Sequence, residues 1–72
     1  MTTNPQQAPS SPSPADIRAA RERLQLTQTR AAAVVHRTLR AWQGWEAPIG
    51  STGHRKMPRD SWELFLIKTK GE

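Results

Sequence analysis

Few side chains in this 72-residue chain can make or break a covalent bond, whereas many can hold a polyanion. Cys and Tyr are absent and only two His are present. There are no paired carboxylates and no glycine-rich loop of the kind that cradles phosphate, in a chain too small to enclose a cleft, so an enzyme is disfavoured. Without Cys, neither a disulfide framework nor a thiolate metal site is available, and His54 has no ligand cluster near it in the sequence. No metal, cofactor or small-molecule ligand is expected. Eleven Lys and Arg against six Asp and Glu leave a net charge of +5, which favours a polyanionic partner. Charge alone fits a merely basic surface equally well. The cations all fall within 15–72, and His54-Arg55-Lys56 is their densest run.

Those cations need elements to position them. The stretch 26–46, LTQTRAAAVVHRTLRAWQGWE, reads as two short helices with a tight turn between them. Thr27 and Thr38 each precede a run of helical apolar spacing, where an N-cap hydroxyl belongs. Between the helices, Val35-His36-Arg37 is long enough only for a turn. Two helices so joined form a helix-turn-helix unit, whose second helix commonly enters the DNA major groove. Upstream, Ser13-Pro14-Ala15-Asp16 predicts a capped helix start, with Asp in the capping-box position and Pro at the first helical residue. Ile17, Ala20 and Leu24 then recur at helical spacing, and the helix should end near Gln25 with Leu26 turned inward.

The second helix is expected over 28–35, where an alanine run lets a neighbour approach closely. Gln28 sits in its first turn, where a side-chain amide can reach a phosphate; a plain surface Gln is the bland alternative. The third helix is expected over Leu39–Glu46. Its Trp42 and Trp45 share a face and should bury in the core, although a Trp pair can also stack on single-stranded bases. Residues 47–57, APIGSTGHRKM, are a loop by composition. A last helix should run from Pro58 or Asp60 to Lys68, with a capping-box spacing at Asp60–Glu63; a period-two strand is the competing reading. Ahead of all this, 1–13 is uncharged and rich in Pro, Ser and Gln, so it is expected to be disordered. It has no Arg with which to reach a minor groove, so no DNA role is expected of it. The expectation is therefore one all-α domain over 14–70, a small bundle of about four helices with a helix-turn-helix. The absence of a long apolar run or a signal-peptide pattern points to the cytoplasm.

The run TQTRAAAVVHRTLRAWQGWE resembles the helix-turn-helix of the Cro and phage-repressor (Xre-like) regulators, a lambda-repressor-like DNA-binding domain. Thr27-Gln28, Ala32, Thr38 and Glu46 fall at offsets matching that pattern. The resemblance covers roughly 17–46 and extends loosely to 58–68. It implies that Leu39, Arg40, Gln43 and Gly44 meet base edges. The chemistry suits this: Arg grips guanine, Gln grips adenine, and Leu presses on a thymine methyl. It also implies that Arg21 pairs with Glu46, anchoring the reading helix to the first one. Two departures stand out. His36 replaces the usual turn glycine at a position that favours positive φ. Arg37 stands where an aliphatic is normally buried, so either its stem lies along the core or the turn is rearranged.

The expected phosphate contacts are Gln28, Thr38 and Arg37, together with His54, Arg55 and Lys56 on a flap past the reading helix. Each neutralised phosphate would add about 0.9 to the salt slope of binding. The alternative for the flap is a disordered loop with incidental charge. Trp62, Leu64, Phe65, Leu66 and Ile67 are more apolar bulk than one helix face can hide. The surplus, assigned to Leu64, Phe65 and Ile67, is expected to form a homodimer interface. A two-fold dimer would read palindromic double-stranded DNA with half-sites about one turn apart. The leading expectation is thus a sequence-specific transcriptional regulator, a phage or mobile-element repressor or autoregulator. The alternative is a protein-interaction module on the same fold, an antitoxin or phage-encoded inhibitor.

Overall fold

A computed structural model describes residues 11–70; the expectation of a disordered tail therefore falls, for 1–10, outside the described residues. Four helices follow in order: α1 (Pro14–Arg23), α2 (Gln28–Val34), α3 (Leu39–Glu46) and α4 (Arg59–Thr69). No strand occurs among the described residues. Helix α1 starts as its residues dictate. The Ser13 hydroxyl accepts from the Asp16 N–H, and the Asp16 carboxylate accepts from the Ser13 N–H. Thr27 and Thr38 cap α2 and α3, accepting from the N–H groups of Arg30 and Ala41.

Helices α1 and α2 end in the same way. After α1, the N–H of Leu26 bonds to the Arg21 carbonyl and that of Gln25 to the Glu22 carbonyl. After α2, the N–H of Arg37 bonds to the Ala32 carbonyl and that of His36 to the Ala33 carbonyl. Both are Schellman motifs, which need a left-handed residue just past the cap. Gln25 at φ 60° and His36 at φ 59° supply it in place of glycine. The positive φ expected at His36 is present; Gln25 gave no such warning in the sequence. The second motif closes the turn without rearrangement, and Arg37 remains exposed with its guanidinium carbon 6.0 Å from the centre of the Trp45 ring. Its guanidinium thus lies over the Trp45 ring at the edge of the core while the residue stays open to water.

Trp42 and Phe65 hold the centre of the core, neither with any exposed surface, at a ring separation of 5.2 Å. Trp45 lies 5.4 Å from Trp42, and Ile17, Ala20, Ala31, Ala32, Val35 and Met57 complete the core. Burial of both indoles removes the stacking-platform alternative. The last apolar segment is helix rather than strand because Ser61, Phe65 and Thr69 recur at four-residue spacing on the inward face. Its start differs from the expected box at Asp60. Pro58 is the N-cap with no side-chain cap, Ser61 is buried, and Glu63 pairs instead with Arg59 at 3.8 Å. Phe65 is likewise corrected: it is core and has no surface to offer a second copy. Leu64 is partly buried against the core, whereas Leu66 and Ile67 face out, Ile67 at 69% exposure.

The left-handed cap at His36 generates a stability prediction. His36→Gly should stabilise the fold by about 1 kcal/mol, and the β-branched His36→Val should destabilise it by at least that much. Urea unfolding followed by circular dichroism measures both.

Candidate nucleic-acid interface

The orientation of α3 rests on one carboxylate. Glu46, the last residue of α3, has a side chain only 3% exposed. Arg21 on α1 grips it with two prongs, Nε to Oε2 at 2.6 Å and Nη2 to Oε1 at 3.0 Å. The third nitrogen of the same guanidinium donates to the Leu26 carbonyl at 3.0 Å, fastening the α1–α2 link. Trp42 Nε1, one turn back on α3, donates to Oε2 at 2.6 Å, and Gln28 Nε2 on α2 donates to Oε1 at 3.1 Å. Arg18 adds a looser ion pair at 3.6 Å from the exposed side. The expected Arg21–Glu46 pair is present, within a larger network than expected. Burial is the largest influence on the Glu46 carboxyl and would raise its pKa. The hydrogen bonds from Arg21, Trp42 and Gln28, with the Arg21 charge, together outweigh it and hold the pKa below the ordinary range. The Arg21 pKa is raised in turn, chiefly by its hydrogen bond to Glu46.

The network revises one candidate. Gln28 is half-buried and commits one of its two amide protons to Glu46, so it joins α2 to α3, a role beyond the phosphate contact expected of it. Neither the Gln28 nor the Trp42 bond was foreseen, although the four-residue spacing of Trp42 and Glu46 was a usable signal.

With α3 so held, Leu39, Arg40 and Gln43 project from it as exposed side chains. Arg37, Thr38, Arg40 and Gln43 line one wall of an open groove of about 710 Å³, and the loop after α3 brings Arg55 and Lys56 to the same groove. The Thr38 hydroxyl accepts at the helix start, which leaves its proton to donate outward. Across 28–58 the cations are Arg30, Arg37, Arg40, Arg55 and Lys56, all exposed. The sole acid in that span is Glu46, buried and neutralised by Arg21.

The loop over 47–57 is stitched down rather than loose. Ser51 bonds Pro48 through both its N–H and its hydroxyl, His54 N–H donates to the Ser51 carbonyl, and Met57 is buried. Two candidates change roles here. His54 is half-buried, its Nδ1 3.1 Å from the Ala47 carbonyl, so the ring braces the loop. Gly44 is buried beneath that loop and offers nothing to a base edge. Its carbonyl accepts from the Arg55 N–H at 2.9 Å. The close approach that its missing side chain permits is to Gly53 and Arg55 of the same chain.

No protein-family model matches the chain, and a search of curated proteins gives no match either.

The Glu46 network makes a pH prediction. A carboxyl whose folded pKa is depressed contributes stability above its unfolded pKa, about 4.3, and that contribution is lost as pH falls through the folded value. Unfolding midpoints of the wild type should therefore drop below pH ~4.3. Glu46→Gln should flatten this part of the pH dependence and cost about 3 kcal/mol at neutral pH by leaving Arg21 unpaired.

Proposed function

We propose that this chain is a sequence-specific DNA-binding regulator of the Cro and phage-repressor kind, in which α2 and α3 are the helix-turn-helix and α3 reads the major groove. The observation that carries this reading is the one-signed groove beside α3. Arg37, Arg40, Arg55 and Lys56 line it with no acid among them, along a helix that presents a fork and an amide. A polyanion with hydrogen-bonding edges is the partner such a face suits. Arg40 and Gln43 read bases and Leu39 supplies apolar contact, while Arg37, Thr38, Arg55 and Lys56 hold the phosphates. The two Schellman turns and the Glu46 network supply what a reading helix needs, a rigid mount on two other helices. Among the described residues no helix is long and apolar enough to cross a membrane.

The protein reads DNA as a homodimer on a palindromic repressor or autoregulatory site. Support for dimerisation lies on α4, where Leu66 and Ile67 are exposed apolar side chains beside the partly buried Leu64.

Selection of bound sequences from random duplex DNA tests the reading directly. A consensus should emerge for the wild type, and Arg40→Ala should lose discrimination at one or two positions, each worth about 1–3 kcal/mol, while still binding at low salt. Absence of a consensus, or its survival intact in Arg40→Ala, removes α3 as the reader. Sedimentation equilibrium checks the assembly: the wild type should be dimeric at micromolar concentration and Ile67→Lys monomeric.

A further inference from the structure

The groove beside α3 exists in its present form because one residue lacks a side chain. Gly44 lies in the middle of α3, where glycine costs helix stability relative to alanine. A Cβ at Gly44 would stand 3.0 Å from Arg55 Cγ and 3.3 Å from Arg55 Cβ, and also 3.2 Å from the Gly53 carbonyl oxygen. The Arg side chain can swing away, but the Gly53 carbonyl is backbone and yields only if the loop moves. That loop is restrained on both sides of the contact. His54 is tied to Ala47 and Ser51, Arg55 N–H is bonded to the Gly44 carbonyl, and Met57 is sunk in the core. By contrast, a Cβ on Gly53 would meet nothing within 4 Å, so the fit is specific to Gly44.

We propose that Gly44 is a positioning residue for a phosphodiester-binding cleft between α3 and residues 52–56. Its bare backbone seats Arg55, so that Arg55 and Lys56 line the same groove as Arg37 and Arg40. The groove then takes the sugar-phosphate backbone of one DNA strand beside the bases that Arg40 and Gln43 face. This rests on the DNA-binding reading and assigns to Gly44 a function in place of base contact. An alanine there would press the Gly53 carbonyl back by a few tenths of an ångström and turn the Arg55 side chain off its seat, while leaving the exposed side chains of α3 in place. Four cations and no acid line the cleft, which suits a repeating anion.

The test uses the full chain and a short duplex of random sequence, titrated across a range of potassium chloride concentrations. Gly44→Ala and Arg55→Ala should each flatten the log–log salt slope by about 0.9, the share of one phosphate. The double variant should lose no more than Arg55→Ala alone. Hydrogen exchange at the Arg55 amide should quicken in Gly44→Ala. A wild-type slope in Gly44→Ala alongside a reduced one in Arg55→Ala overturns the positioning role, as do additive losses in the double variant. If Gly44→Ala does not fold, nuclear magnetic resonance titration of the wild type decides. The backbone amides of 52–56 and the Arg55 Nε–H should shift on adding duplex, and unmoved resonances overturn the cleft. Failure of the wild type to bind duplex DNA at any salt removes both the cleft and the reading it rests on, whereas binding that is indifferent to Gly44 removes the positioning role alone.

Discussion

A buried carboxylate must be neutralised and hydrogen-bonded or it will not stay ionised, and Glu46 meets that demand with groups from three helices. Arg21 brings α1, Gln28 brings α2, and Trp42 commits the indole at the centre of the core. The position and tilt of α3 are thereby tied to a hydrogen-bond geometry as well as to packing. No buried side-chain nitrogen or oxygen among the described residues lacks a partner. A second consequence is electrostatic. Taking the sole acid of 28–58 inside and cancelling it with an Arg from α1 leaves every exposed Lys, Arg, Asp or Glu of that span a cation. One residue thus sets both the mount of the helix and the sign of its surroundings.

The rest of the molecule shows how a small domain without disulfides or a Cys-based metal site economises. Three aromatic side chains do most of the filling, and the loop after α3 is drawn into the same core through Met57. Against this, the two helix ends at Gln25 and His36 place side chains in a left-handed conformation that glycine would hold with less strain. Stability on the order of 5 kcal/mol for a domain of this size leaves little margin, so the Trp42–Phe65 contact and the Glu46 network each account for a large share of it. In the loop the relation between order and charge is direct. The same hydrogen bonds that spare its backbone from solvent hold Arg55 and Lys56 at the edge of α3.

Much of this was legible from residue types at short separation. The caps at Ser13, Thr27 and Thr38 and the shared buried face of Trp42 and Trp45 each follow from chemistry within a few residues of the position, whereas the left-handed turn at His36 was implied by the resemblance. The Arg21–Glu46 pair spans 25 residues and came from a resemblance, since no local rule joins the two. The structural roles of Gln28, His54 and Gly44 were missed for a common reason. Each is polar or small on a surface-like segment, and its role depends on what another element lays against it. Phe65 was misassigned because five apolar residues in a row of six do not say which of them faces inward.

The sequence by itself therefore determined the four helices, the starts of the first three, the cationic balance of 28–58 and the burial of Trp42 and Trp45, because those depend on periodicity, capping and charge that travel with the chain. Only the tertiary structure decided which donors surround Glu46, which face of α4 is spent on the core, and that Gly44 lies under a loop rather than open to a partner. Those outcomes depend on contacts between segments far apart in sequence. There, a tenth of a nanometre of approach decides whether a side chain braces the fold or is free to bind.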